Sequence, residues 1–369
     1  MTKLKYGLIG CGMMGQEHIR NIQLLEQAEI AAIYEPDSSM RSIALELAPQ
    51  ALISDSVEAL LEIEDLDCLV ITSPNFTHVG YLQTILEKRQ LPVLVEKPLA
   101  TSLEDLDALK RIKAEYLQPI WVAMEYRYMP PLAEFIKLAD KVTGGITMLS
   151  IREHRFPFLE KVNDWNRFNR FSGGTLVEKC CHFFDLMRFI LDSEAVSVMA
   201  SAGQSHNHLD ERCAGETPDI VDNAYTIVDF ASGSRAMLEL CMFAEGSFYQ
   251  EEICAVGKDG KIECLIPGPQ RFWSEELGPP PVPKIIISPR YDKGGKREIE
   301  IPVDPRLQSV GDHHGSTFYQ HLRFQQVVLG KETPQVTLED GWKAVLIGMS
   351  AQQSAQSFSA QKIAEGLFL

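Results

Sequence analysis

A chain of 369 residues is too long for most single hydrophobic cores and suits two domains of ordinary size. With 45% apolar and 23% charged residues it has the balance of a globular protein, and its formal net charge of −16 disfavours duplex nucleic acid or an anionic membrane, because either needs a basic face. No run approaches the roughly 20 apolar residues that span a bilayer, MTKLKYGLIG shows no secretory pattern, and eight cysteines are scattered without a C-x-x-C pair, which reads as reduced thiols in a cytoplasmic chain.

The first third alternates strands with helices. KYGLIGCGMMGQEHI is a buried strand, Lys5 to Ile9, then a glycine-rich turn and a helix opening near Met14. Gly10, Gly12 and Gly15 form G-x-G-x-x-G, giving a tight turn, a close approach to a pyrophosphate and close helix–strand packing. The helix start, with Met13 and Met14, offers unpaired N–H groups to the phosphates. A second strand, EIAAIYE, ends at Glu35, where an acid meets the ribose hydroxyls and favours NAD over NADP; Arg41 close by keeps NADP possible.

Helical runs follow at Ser38–Leu47 and Ser54–Leu61, then the strand CLVIT, a helix capped by Thr77, and the strand LPVLVEK. TSLEDLDALKRIKAEY carries a capping box, Ser102 with Asp105, and PIWVAME is the final strand. This pattern predicts an α/β Rossmann dinucleotide-binding domain over residues 1–125 with a parallel sheet. Ligands in such sheets bind at the carboxyl ends of strands, which singles out Ser73, Pro74, Asn75 and His78 in TSPNFTH and Glu96-Lys97 in VEKPLA. The side chain of His78 is expected to bond nearby backbone.

After Tyr126 the pattern changes to an α+β domain, 126–369, the expected substrate-binding and oligomerisation half. YRYMPPLAEFIKLADKV is a short helix, and strand-like runs follow from Gly145 and at Ala195–Ala202, Ala224–Phe230, Arg235–Phe243, Glu251–Val256 and Lys261–Ile266, read as an open, mostly antiparallel sheet. GPPPVPK is a stiff surface loop. GQSHNHLDERCAGETPD reads as a mobile loop; nothing fixes His206, His208, Asp210 and Cys213 in a ligand geometry, so no metal is expected. An apolar sheet with one uncovered face points to a homodimer or homotetramer through that sheet.

GGTLVEKCCHFFDLMRFI, Gly173 to Ile190, has apolar residues at helical spacing. Glu178 and His182, four apart, share a face with Asp185 close to the same stripe, whereas Cys180 and Cys181 diverge. Adjacent cysteines suit neither a zinc site nor a cysteine–histidine pair, which leaves a proton relay with the thiols as packing.

With the Gly10–Gly15 fingerprint, Pro74-Asn75 with His78, Glu96-Lys97-Pro98, the segment Gly173 through His182 to Asp185, and TPQVTLEDGWKAVLIGMSAQQSAQS near the end, the chain resembles the glucose–fructose oxidoreductase/inositol dehydrogenase (Gfo/Idh/MocA) family, whose closing helix is expected here at about 338–358, packed back on the first domain. The resemblance implies a nucleotide-binding domain, then a domain with a large open antiparallel sheet, and redox chemistry on sugars, inositols or similar polyols. Two departures stand out: Glu178 where the family usually has aspartate, and Lys179, Cys180 and Cys181 where it often has small or aliphatic residues.

On that basis His182, titrating near neutrality, is the candidate general base for alcohol oxidation. Lys97 stabilises the developing alkoxide, and Glu178 holds a neighbouring hydroxyl and helps set the charge of His182. Candidate substrate contacts are Tyr126 and Arg127 (with Glu125) at the domain junction, Trp165 and Asn166 before the helix, and His313 or His314 at a later helix start, together with Glu178 and His182. Two other activities fit the same parts: cleavage of a glycoside through transient oxidation by bound NAD, and a non-catalytic sensor of dinucleotide and sugar.

Overall fold

The computed structural model describes residues 3–274, 276, 278–291 and 295–369. Its first half is β1 (Leu4–Ile9), α1 (Met13–Gln23), β2 (Ala28–Tyr34), α2 (Ser38–Leu47), β3 (Leu52–Ser54), α3 (Val57–Leu61), β4 (Cys68–Ile71), α4 (His78–Lys88), β5 (Val93–Val95), α5 (Leu106–Glu115) and β6 (Ile120–Val122). The strands form one parallel sheet in the order β3-β2-β1-β4-β5-β6. Chain order reverses between β1 and β4, and the crevice above their carboxyl ends is the ligand position of such sheets.

Three local expectations are corrected. Leu52–Ser54 is an edge strand beside β2, and the helix after it starts only at Val57, with Ser56 accepting the Ala59 N–H. A three-residue apolar run is too short to show its period. Thr77 does not cap α4, because its hydroxyl donates to the Pro74 carbonyl and meets Ser73 Oγ. Ser102 accepts from Glu104 N–H while Asp105 accepts from Thr101 N–H, so a 3-10 turn at Leu103–Asp105 leads into α5.

The second half contains α6 (Pro130–Thr143), β7 (Ile146–His154), α7 (Asn169–Ser172), α8 (Thr175–Glu178), α9 (Cys181–Leu191), β8 (Ala195–Gly203), β9 (Asn223–Phe230), β10 (Arg235–Cys241), β11 (Glu251–Gly257), β12 (Gly260–Ile266), β13 (Lys284–Pro289), β14 (Arg297–Glu300), α10 (Pro305–Gln308), α11 (Ser316–Val328), α12 (Leu338–Ser357) and β15 (Gln361–Lys362). The strands form one sheet in the order β14-β13-β12-β11-β7-β10-β9-β8-β15. Neighbours run antiparallel except β7 and β10, which are parallel. Parallel neighbours need a long crossover, and α7 to α9 with the β8–β9 hairpin supply it. The three strands absent from the sequence reading are weak signals: β13 follows a proline run, β14 is REIE with every residue exposed, and β15 has two residues.

Helices α6, α9 and α12 cover one face of this sheet. The other face presents Met148 and Met199 with Tyr225 and Ile227, of which Tyr225 is 58% exposed. Helix α12 joins the two halves: Thr337 and Asp340 cap it reciprocally, a side chain at Gly341 would strike Val122 of β6, and one at Gly348 would strike the Leu176 carbonyl of α8. The polar loop before β9 is tied down, because Asp222 accepts the N–H groups of Ser205, His206 and Asn207, and His208 pairs with Glu211. Among the described residues no helix is long and apolar enough to cross a membrane.

Candidate active site

The nucleotide side is built from backbone. Gly10 has φ +91°, and a Cβ there would lie 2.6 Å from Ser73 N. At Gly15 a Cβ would lie 2.7 Å from the Gly10 carbonyl, whereas at Gly12 it would meet nothing within 4 Å. The open position is the one that faces a ligand. Helix α1 starts at Met13 without a side-chain cap, which leaves first-turn N–H groups, including those of Met13 and Met14, free for an anion. Glu35, buried at the end of β2, accepts from Cys11 N–H at 2.5 Å and from Asp37 N–H at 2.8 Å. Each carboxylate oxygen keeps a further lone pair for a ribose hydroxyl. Phosphate cradle and ribose acceptor together fit a dinucleotide.

Two loops at strand ends complete this side. His78 lies between the Pro98 carbonyl at 2.8 Å and the Ser73 carbonyl at 3.0 Å, bracing the loop after β4 against the loop after β5. The Asn75 amide donates to the Ser172 carbonyl just before α8 at 3.1 Å, tying the nucleotide half to the second half. Glu96 is buried; one oxygen pairs with His18 at 2.9 Å and the other accepts the Lys97 N–H. His18 in turn meets His321 at 2.7 Å. Burial lowers His18, but Glu96, with Glu125 and Glu17, outweighs it, so its value is raised.

Lys97 leaves the end of β5 and donates to the Glu178 main-chain carbonyl at 3.1 Å. That carbonyl is available because the expected continuous helix is broken: α8 ends at Glu178, α9 begins at Cys181, and the Cys180 N–H reaches back to Thr175 O. The Glu178 carboxylate does not touch His182. One oxygen is 3.2 Å from Lys161 Nζ, and the other is buried without a partner. His182 is buried and stacks on Tyr126, with ring centroids 4.1 Å apart and planes 9° apart; its Nδ1 has no partner. It does not titrate near neutrality, because burial, then the charges of Lys97, Lys179, His313 and Arg155, hold it well below the usual imidazole value. Both thiols are buried, and burial pushes Cys181 up to about 12 and Cys180 well above an ordinary thiol. They are packing groups.

Several predicted contacts lie elsewhere. Arg127 is buried and holds Asp185 with two bonds of 2.6 Å, donates to the Gln335 carbonyl and lies over Phe189, so it braces α9 and does not face the cleft. Asn166 is fully buried and donates to the Leu159 carbonyl. His314 turns to the Pro267 carbonyl, while His313 points inward to Glu125 at 2.9 Å and packs against Tyr126. Trp165 lies under the Lys161 ammonium, 4.4 Å from the ring centre, and beside Phe76 of the nucleotide half. Lys161 sits in an unpatterned loop that gave no signal. Glu153 and Glu251 were missed, although a signal was there: each takes the inward parity of an otherwise apolar strand face, with Leu149 and Ile151 or Ile253 and Ala255. The triad Glu17, Glu125 and His313, with ligand atoms within 4.8 Å of one another, comes from three distant segments.

The comparisons with known proteins agree with this architecture. Residues 4–124 match the Gfo/Idh/MocA family model described as an oxidoreductase family, NAD-binding Rossmann fold, and residues 137–362 match its C-terminal alpha/beta domain. The chain is 24% identical to the myo-inositol 2-dehydrogenase of Thermotoga maritima, covering 98% of this chain and 99% of that protein. It is 25% identical to the rhizopine catabolism protein MocA of Rhizobium meliloti, covering 65% and 72%. Among solved structures, a levoglucosan dehydrogenase in complex with NADH and levoglucosan superposes with TM-score 0.78 at 19% identity, covering 99% of this chain and 100% of that one. The same two domains in the same order, over a cradle shaped for a dinucleotide, place the chain in the Gfo/Idh/MocA family as an NAD-binding oxidoreductase.

Proposed function

We propose that this protein oxidises a secondary alcohol of a sugar, inositol or related polyol, or reduces the matching ketone, with Lys97 and His182 handling the proton. The observation that carries the reading is the meeting of Lys97 with the α8–α9 break, where an ammonium from one domain reaches Glu178 beside the stacked His182 of the other. Bound NAD supplies the hydride acceptor at its nicotinamide ring. The chain's own groups do the rest. Lys97, a cation directed into the junction, stabilises charge on the reacting oxygen. His182 is held as neutral imidazole, the form that accepts a proton, and the cations that keep it neutral favour passing that proton on. Lys161 and Glu178 offer a donor and an acceptor side by side, the pair that reads vicinal hydroxyls, and the Trp165 face suits a sugar ring. Relatives named as inositol and levoglucosan dehydrogenases support the substrate class.

The residues from 126 onward form the substrate-binding half in this reading. The exposed apolar face of the large sheet supports self-association as a homodimer or homotetramer. The test is to incubate the protein with NAD and, separately, NADP against inositols, aldoses, deoxysugars and uronates while following absorbance of the reduced nicotinamide. Turnover of one class establishes the reading. A silent panel, with NAD binding verified by thermal shift, removes it.

A further inference from the structure

The chain places an ionisable cluster directly behind His182, and the catalytic reading above does not use it. Lys179 occupies the break between α8 and α9 and is 3% exposed. Its Nζ donates to the Tyr126 hydroxyl at 2.5 Å and lies 2.8 Å from Glu153 Oε1. It also lies 4.7 Å from the Tyr126 ring centre and 5.4 Å from that of Phe183. Carboxylate, phenol oxygen and aromatic faces together favour the ammonium form, although burial pulls Lys179 below the usual lysine value. Glu153 faces Glu251 in register across β7 and β11. Burial, then the Glu153 charge, raises Glu251 to about 7, and of the two cations on Glu153 Lys179 is the nearer, Arg155 lying 3.7 Å away.

Tyr126 lies between this cation and His182, its ring stacked on the imidazole and its hydroxyl tied to Lys179. The stack fixes the imidazole plane, and the tie fixes the stack. The charges that depress His182 most are the cations Lys97 after β5, Lys179, His313 before α11 and Arg155 after β7; the carboxylates beside them are Glu153, which meets both Lys179 and Arg155, and Glu178, which pairs with Lys161. Glu125 neutralises His313 and Arg127 neutralises Asp185, the carboxylate on the same helix.

We propose that Lys179, anchored by Glu153 and Tyr126, is a positioning residue for His182: it locks the plane of the imidazole and holds a positive charge behind it so that the ring stays a free base. This rests on His182 being the proton acceptor, but its own test needs neither substrate nor cofactor.

The experiment is an NMR titration of the full chain labelled at histidine, from about pH 5 to about pH 8, with the His182 resonance assigned by its loss in His182→Asn. The wild-type resonance is expected to remain that of a neutral imidazole over most of this range. In Lys179→Met its midpoint is expected to move up by about one and a half pH units, the size a unit charge exerts at about 8 Å through an effective dielectric of about 20, and Lys179→Arg is expected to restore the wild-type behaviour. Should Lys179→Met fail to fold, Lys179→Met/Glu153→Gln removes ion and counter-ion together. Lys179 acts on His182 more strongly than Glu153 does, so the same upward direction is expected at roughly half the size. A midpoint that stays at the wild-type position in the folded variant overturns the proposal. Failure of His182 as the proton acceptor shows separately, as full turnover in His182→Ala, and failure of the dehydrogenase reading as a silent substrate panel; each leaves the titration result standing.

Discussion

On the nucleotide side of the cleft a ligand meets backbone: a glycine without a side chain, the uncapped start of α1, and a strand-end carboxylate held by main-chain N–H groups. Where the two halves meet it finds ionisable side chains, Lys97, Lys161, Glu178 and His182, whose neighbours come from widely separated parts of the chain. Backbone sites are specified by local sequence, so they tolerate change at most positions and fail at few. Side-chain clusters are specified by tertiary packing, so each member carries its neighbours' charge state with it. Damage to the first side is therefore read out in cofactor affinity, and damage to the second in turnover.

The sharpest test of that division is at the proton-handling pair. Lys97→Ala and His182→Ala are each expected to lower turnover by about 10²–10⁴ while NAD affinity changes little, measured by steady-state kinetics beside isothermal titration. Loss of NAD binding in either variant would break the division. Arg127→Ala tests a residue that the sequence assigned to substrate and the structure assigns to the fold. It strands Asp185 in a buried site, so a loss of about 3–5 kcal/mol in unfolding free energy is expected from denaturant melts. A substrate residue would instead raise KM at unchanged stability.

How legible each side was follows from the same contrast. Gly10, Gly12, Gly15 and Glu35 lie within one βαβ unit, and a local pattern states their geometry. Helical spacing puts Glu178 and His182 on one face, but the break at Lys179–Cys180, which parts them and exposes the Glu178 carbonyl to Lys97, has no periodic signature. His313 and His314 are adjacent in sequence and indistinguishable by residue type. A positive φ at His314 turns it to Pro267 and leaves His313 to face Glu125. Lys161 belongs to a loop whose course is set by Trp165, Arg167 and the loop before β9, hence by contacts distant in sequence.

A smaller effect sharpens the nucleotide side. Glu35→Ala removes the acceptor expected at the ribose, so NAD affinity is expected to fall about tenfold, the worth of one charge-assisted hydrogen bond, with a narrower gap between NAD and NADP. Because Glu35 also accepts from Cys11 N–H, part of the loss comes from a looser glycine turn. Glu35→Gln, which keeps an acceptor oxygen, is expected to lie between the two in a binding titration.

The mildest prediction concerns pH and the triad behind Tyr126. Thr317 Oγ lies 2.8 Å from Glu17 and 2.5 Å from Glu125; a hydroxyl has one proton, so both contacts are hydrogen bonds only when one carboxyl is itself protonated. Glu17 is that acid: burial, with Glu125 nearby, raises it to about 7 against the pull of His313 and Thr317. Burial also acts on the other two, but His313 and Thr317 bring Glu125 down to about 2, and Glu125 brings His313 up to about 9. Folding therefore takes up a proton at Glu17 between its ordinary 4.5 and about 7, and stability falls as pH rises through that window. The His313 contribution is full below its ordinary 6.5 and is lost as pH rises through about 9, while that of Glu125 is lost only in acid, between 4.5 and about 2. All three place the maximum on the mildly acidic side of neutrality. Melting scans should then show a Tm that declines from about pH 5.5 to about pH 8.5. In Glu17→Gln the part of that decline below about pH 7 should flatten, by about 3 °C over the window, while the part due to His313 persists. A decline identical in the two proteins would mean that the carboxyl proton sits elsewhere in the triad.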